Sequence, residues 1–159
     1  MISVLDFEGT SRLASARATE IGIVRLKSDF SVAHEFESLV HSPVRADSFA
    51  LKVSKLSNSE INSAPSFHEL WPHIHEFVSG SVMVAHNKIY EMNVLRNELQ
   101  ELSLYELPPF ICTLEWSRKI LNSKISNFQL KTVCDYLGVK LDNGHEALSD
   151  ARATAEVFN

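Results

Sequence analysis

The sequence predicts an α/β domain: a mixed five-stranded sheet, one strand of which returns as an antiparallel hairpin, flanked by helices. Three observations carry that expectation. Residues 19–26 and 32–40 read as strands, and residues 2–5 alternate polar and apolar side chains as a half-buried strand does. Runs 81–85 and 110–113 read as two further, short strands. After these runs the apolar residues switch to helical spacing, as at Val94, Leu95, Leu99 and Leu102.

The first strand runs into Asp6-Phe7-Glu8-Gly9-Thr10. Side chains alternate across a strand, so Ile2, Val4, Asp6 and Glu8 share one face. That face begins apolar and ends with two carboxylates, whose burial side by side is costly unless something offsets it. Divalent cations such as Mg²⁺ and Mn²⁺ take hard carboxylate oxygens as ligands. Alone, the pair reads more simply as a strand running out into a polar loop, so its meaning depends on what later segments bring.

After a loop at 11–17, the second and third strands form the hairpin, turning at Asp29-Phe30-Ser31. Residues 42–65 are polar, with short helical turns around 49–56. Ser66-Phe67-His68-Glu69 fits a capping box before a helix carrying Leu70, Ile74, Phe77 and Val78, which Pro72 is expected to kink or restart. His68, His73 and His75 cluster there but face different sides and read as surface histidines.

The strand 81–85 ends at His86-Asn87. The apolar stripe of the next helix, 89–102, extends back one turn to Glu91, a carboxylate on the inward face. Charged residues are rarely buried without a partner, which makes Glu91 a candidate. Pro108-Pro109 ends that unit, and a helix through Trp116 and Leu121 follows the fifth strand. Residues 129–137 form another, closed by Gly138. The last helix carries Leu148, Ala151, Ala155 and Phe158 on a narrow, small-residue face that can approach a sheet closely. Asp150 lies beside that face, and His145 sits at the helix mouth.

The 159 residues, 45% hydrophobic and 22% charged, predict one domain over 1–159 with no internal repeat or linker. No apolar run reaches the roughly 20 residues that cross a membrane, so no membrane partner is expected. The N-terminus lacks a basic region followed by an apolar stretch, and no signal peptide is expected. Cys112 and Cys134 have no metal spacing and read as small buried thiols in a reducing compartment, taken as cytoplasmic. The net charge of −5 argues against a polyanionic partner, unless carboxylates hold cations.

Taken together, the motifs resemble the DEDDh branch of the DnaQ-like 3′–5′ exonucleases, whose fold is RNase H-like. The resemblance runs from Asp6-Phe7-Glu8-Gly9-Thr10, through Glu20-Ile21-Gly22 and Val84-Ala85-His86-Asn87 with its acid at Glu91, to His145-Glu146-Ala147-Leu148-Ser149-Asp150. It covers essentially the whole chain. It implies that Asp6, Glu8 and Asp150 ligate two divalent metals, Mg²⁺ or Mn²⁺, with Asp6 bridging, and that Glu91 supports a metal through water. His145 is then the general base. Two metals about 4 Å apart stabilise the incoming and leaving oxygens of an in-line displacement. The implied substrate is the 3′ end of single-stranded DNA or RNA. Gly9 and Thr10 offer backbone N–H groups to the terminal nucleotide, Leu13 or Phe7 wedges against its base, and His86 and Asn87 stand in the substrate-contact set. Lys88, Arg118, Lys119 and Lys124 are candidate backbone contacts, and the molecule is expected to be a monomer or homodimer.

Three positions depart from the family pattern. The second-motif acid is Glu91 rather than Asp, Cys112-Thr113 stands where Asp-Thr is common, and Ser54 replaces part of a His-Gly turn. Glu91 motivates an alternative: a catalytically weakened domain that binds strand ends or serves as an adaptor.

Overall fold

In the computed structural model, which describes residues 1–159, β1 (Ile2–Gly9) lies at the centre of the sheet. Both of its faces are covered: Leu5 and Phe7 are buried on one side and Val4 on the other. β2 (Ala18–Leu26) pairs antiparallel with β1, and β3 (Val32–Leu39) antiparallel with β2. On the other side β4 (Val82–Ala85) pairs parallel with β1, and β5 (Phe110–Cys112) parallel with β4. The order is β3-β2-β1-β4-β5, the mixed five-stranded sheet with its hairpin that the sequence predicts.

Seven α-helices and one short 3-10 helix (Asn122–Lys124) complete the chain. α1 (Ser48–Ser54), α2 (Asn58–Ser63) and α3 (Phe67–Val78) lie between β3 and β4, and α4 (Lys88–Glu101) joins β4 to β5. α5 (Thr113–Leu121), α6 (Leu130–Leu137) and α7 (Ala147–Phe158) follow. On one face, Leu5, Ile21 and Met83 pack with Leu70 and Ile74 of α3 and Val94 and Leu95 of α4. On the other, Val4, Val24 and Val84 pack with Leu148, Ala151 and Ala155 of α7. No helix is long and apolar enough to cross a membrane.

Two local differences have physical causes. α2 has no apolar stripe to announce it; its signal is the capping box of Ser57 and Glu60. α3 continues through Pro72 instead of restarting, with Leu70 and Ile74 buried on either side of it. The capping box at Ser66 and Glu69 is formed, and the cap of α6 is Gly138 at φ 73°, where a residue without Cβ is favoured.

The small-residue face of α7 does approach the sheet closely, and a residue of β2 permits it. A Cβ on Gly22 would overlap the backbone of Ala147 and Leu148. Gly22 stands opposite Asp6 in the β1–β2 register, so the start of α7 is seated beside the point where Asp6 leaves the sheet. Replacing Gly22 with Ala therefore forces α7 outward, and overpacking of this kind costs about 1–3 kcal/mol. Urea unfolding of G22A should show that loss; a midpoint equal to wild type would mean that α7 does not depend on this contact.

Candidate active site

β1 pairs with β4 only over Ile2–Val4, so the second half of β1 runs on beyond its parallel neighbour. That end opens on a cleft of about 910 Å³, lined among others by Asp6, Glu8, Asn87, Tyr90, His145 and Asp150. Asp6 and Glu8 leave β1 on the side that carries Val4, towards α7, as the strand alternation predicts.

α7 delivers the third acid. Its first turn places Asp150, 9% exposed, with Oδ2 accepting the backbone N–H of His145 at 3.1 Å. The other oxygen, Oδ1, is buried and has no hydrogen-bond partner. His145 takes φ 71°, a left-handed conformation that turns the chain into α7, and its Nδ1 lies 3.8 Å from Oε1 of Glu8. One ligand atom from each of Glu8, His145 and Asp150 lies within 4.8 Å of the others.

Glu91 is buried, as its inward position predicts, but it stands behind the cleft and is not among the residues lining it. Its Oε2 accepts the backbone N–H of Phe7 at 2.9 Å, between Asp6 and Glu8. A fifth carboxylate, unassigned in the sequence reading, completes the group. Glu20 stands opposite Glu8 in the β1–β2 register, and its Oε1 accepts the N–H of Ala147 at 3.2 Å.

Burial and mutual repulsion hold all five acids above the usual carboxylate range. Asp6 is raised well above it by burial first, then by Glu91, Asp150, Glu8 and Glu20. Burial pushes Glu8 up to about 8, with Asp150 and Glu20 adding to it. Burial also raises Glu20 to about 7 against the opposing N–H of Ala147. Glu91 and Asp150 are raised by burial, partly offset by the N–H groups of Phe7 and His145 respectively. Carboxylate oxygens with one imidazole, and an oriented oxygen of Asp150 that no donor satisfies, fit a hard divalent cation of the Mg²⁺ or Mn²⁺ type.

The remaining expected contacts divide. Gly9 and Asn87 line the cleft. A Cβ on Gly9 would overlap the Tyr90 hydroxyl, which donates to the carbonyl of Ser11 at 3.1 Å, so a side chain there would have to displace Tyr90. Thr10 does not offer its N–H to a ligand, since that group donates to the Arg17 carbonyl at 2.9 Å. Its hydroxyl accepts from the Arg17 N–H, so Thr10 closes the loop it begins. Leu13 is exposed and lies outside the cleft wall, whereas Phe7 lines the cleft while most of its side chain is packed into the core.

His86 is buried away from the cleft, with Nδ1 2.9 Å from Thr113 Oγ1 and Nε2 2.8 Å from the Phe128 carbonyl. It ties β4 to α5 through Thr113 and to the chain before α6 through Phe128. Lys88 pairs with Glu115, while Arg118, Lys119 and Lys124 lie on the surface outside the cleft. Ser54 donates to the Ala50 carbonyl within α1. The cations that do line the cleft are Arg12 and Lys131, which no motif had singled out. The guanidinium of Arg12 lies 3.7 Å above the ring of Phe49, another lining residue.

Comparison with known proteins supplies the relatives of this arrangement. The RNase T family model, described as an exonuclease, matches residues 3–158. The chain is 33% identical over 139 residues to a PolC-type DNA polymerase III of Caldanaerobacter subterraneus subsp. tengcongensis, covering 87% of this chain and 10% of that protein. It is 23% identical over 157 residues to the 3′-5′ exonuclease DinG of Staphylococcus saprophyticus, covering 98% of this chain and 17% of that protein. The chain thus spans only a small part of these longer relatives. Among solved structures, exonuclease X in complex with 5′ overhanging duplex DNA superposes with a TM-score of 0.80 at 20% identity, over 99% of this chain and 89% of that one. E. coli exonuclease I in complex with a dT13 oligonucleotide gives 0.86 at 15% identity, over 99% and 40%. The nuclease domain of 3′hExo, a DEDDh family member bound to rAMP, gives 0.78 at 17% identity, over 99% and 88%.

The raised acids have a consequence for stability. Each binds its proton more tightly in the folded chain, so the stabilisation is full below the ordinary glutamate value of 4.5 and is lost as pH rises through about 7 for Glu20 and about 8 for Glu8. Melting in EDTA should therefore fall between pH 5 and pH 8, by about 3 °C for each kcal/mol lost. Added Mn²⁺ should raise Tm, and raise it more at pH 8 than at pH 5; a metal effect independent of pH would contradict this reading.

Proposed function

The chain belongs to the RNase T exonuclease family, in its DnaQ-like DEDDh group, and on that footing we propose that it is a metal-dependent 3′–5′ exonuclease. It hydrolyses the terminal phosphodiester bond of single-stranded DNA or RNA and releases nucleoside monophosphates. The observation that carries the reading is the clustering of Glu8, His145 and Asp150 in the cleft that Asp6 also lines.

Asp6, Glu8 and Asp150 are the residues that would hold two divalent cations, Mg²⁺ or Mn²⁺. Bound there, such ions polarise the phosphate and make water a better nucleophile. His145, with its imidazole 62% exposed at the cleft mouth, takes the proton of the attacking water. Glu91 acts from behind: its hydrogen bond to the Phe7 N–H fixes the stretch of β1 that carries Asp6 and Glu8. Arg12 has no carboxylate partner and lies on the cleft wall, where its donors meet a substrate phosphate. Cations in the acidic cleft and Arg12 beside it answer the objection raised by the net charge of −5.

The adaptor reading gains nothing from Glu91, whose carboxylate has a defined structural partner. The complete set of Asp6, Glu8, His145 and Asp150 favours the enzyme. The free, buried thiols Cys112 and Cys134 agree with a reducing, cytoplasmic setting.

Purified protein with Mn²⁺ or Mg²⁺ should shorten 3′-labelled and 5′-labelled single-stranded oligonucleotides in the pattern of 3′ attack, and EDTA should stop it. His145→Ala should lower turnover by about 10²–10⁴-fold with Mn²⁺ binding by calorimetry retained; a parallel loss of binding would make His145 a ligand instead of the base. Failure of the wild type to degrade either DNA or RNA would sink the enzyme reading. Glu91→Asp shortens the side chain by one methylene and leaves the buried Phe7 N–H without its acceptor, a loss of about 1–3 kcal/mol. That variant should be less stable and slower; a faster enzyme of undiminished Tm would show that the bond to Phe7 is dispensable.

A further inference from the structure

We propose that Glu20 is a positioning residue for this site: its carboxylate fastens the first turn of α7 to the sheet and thereby sets the places of Asp150 and His145. The inference rests on the exonuclease reading above for its catalytic consequence, and on geometry alone for the fastening.

α7 has no cap of its own. The residue at its N-cap position, Glu146, makes no side-chain capping bond. Helices ordinarily satisfy their first N–H groups with a Ser, Thr, Asp or Asn at that position. Here the Ala147 N–H is satisfied from the sheet instead, by Glu20 of β2, 127 positions earlier in the chain. A cap drawn from the helix itself would move with the helix. A cap drawn from β2 fixes the helix relative to the strand that pairs with β1.

The register shows what is thereby aligned. Glu20 is opposite Glu8, and Gly22 is opposite Asp6. Gly22 clears the space into which the Ala147 backbone descends, and Glu20 supplies the acceptor that holds it there. One short stretch of β2 thus seats the start of α7 directly across from the two acids of β1. From Ala147 the helix carries this placement to Asp150 within its first turn. Asp150 passes it on to His145 through the bond from the His145 N–H at 3.1 Å. That bond matters because His145 is held at φ 71°, which a residue with a Cβ rarely adopts without support. Loosening Glu20 should therefore displace Asp150 and His145 together, while leaving Asp6 and Glu8 on their strand.

Electrostatics supports a dedicated purpose. An anion at a helix start is favourable, but this one is placed among Asp150, Glu146 and Glu37, which repel it. A neutral cap at position 146 would hold α7 without that cost, and would not tie it to β2.

The test compares wild type with E20A and E20Q in the full chain, reading amide hydrogen exchange at Ala147, Mn²⁺ affinity by calorimetry, and kcat and KM on a single-stranded oligonucleotide. E20A should exchange faster at Ala147, bind Mn²⁺ about tenfold or more weakly, and lose kcat by a similar factor at little-changed KM, as removal of an outer-shell partner does. E20Q, whose amide oxygen keeps the acceptor, should return exchange, affinity and kcat to within about threefold of wild type. E20A with wild-type exchange and affinity would overturn the proposal. So would E20Q impaired as severely as E20A, because the charge and not the acceptor would then be what matters. Should E20A not fold, E20Q alone decides: protection retained at Ala147 supports the fastening, and protection lost overturns it. If no variant and no wild-type sample degrades nucleic acid while exchange and Mn²⁺ affinity follow the stated order, the exonuclease reading fails and the fastening stands.

Discussion

Five carboxylates crowded onto one end of a sheet repel one another, and much of the local structure is the means by which the fold withstands that repulsion. Three of them are given one backbone N–H each: Glu91 takes that of Phe7, Asp150 that of His145 and Glu20 that of Ala147. Those three bonds do two jobs. Each lowers the cost of burying an acid, and each joins a different element to the site: α4 to β1, the His145 turn to α7, and α7 to β2. Asp6 and Glu8 face the cleft instead, and burial together with repulsion from the neighbouring acids raises both. The two hydrophobic layers border this region, one through Phe7 and the other through Leu148 and Ala151, so the strained end of the sheet is held between packed faces.

α4 carries two buried acids of the same type in different electrostatic surroundings. Glu91 and Glu98 are two turns apart on one face, both are buried, and each accepts a strand N–H, from Phe7 and from Ala18 respectively. Glu98 also has a cation: Arg17 reaches it with Nε and Nη2, both at 2.9 Å. With its charge compensated, Glu98 acts as a clamp for the loop between β1 and β2. The same helix adds Asn97, which donates to the carbonyls of Ala14 and Ala16, and Tyr90, which donates to that of Ser11. Glu91 has no such cation; burial first, and then repulsion from Glu8 and Asp150, raise it well above the usual range.

What could be read from the sequence was whatever a local pattern encodes. Strand alternation placed Asp6 and Glu8 on the face that carries Val4, the helical stripe of α4 turned Glu91 inward, and the small residues of α7 foretold its close approach. What could not be read depends on a partner far along the chain. Gly22 looks like any strand glycine until the backbone of Ala147 is set against it. Glu20 alternates like a solvent-facing residue until α7 arrives, and the histidine after β4 reads as a substrate contact until Thr113 and Phe128 occupy both ring nitrogens. The N–H of Thr10 is spoken for by a carbonyl across its loop, which no spacing rule announces.

Glu91, the one acid that departs from the family's motif, illustrates the point most directly. In sequence the extra methylene is an imperfection, displacing the carboxylate by roughly 1.5 Å along its side chain. In the fold it is reach. α4 begins just after β4, and β4 stops pairing with β1 at Val4, so the Phe7 N–H lies beyond the last ladder bond on that edge. A buried N–H with no acceptor is costly, and the Glu91 carboxylate is what arrives there. Glu91 thus stands behind the cleft that Asp6, Glu8 and Asp150 line, and holds the strand that carries the first two.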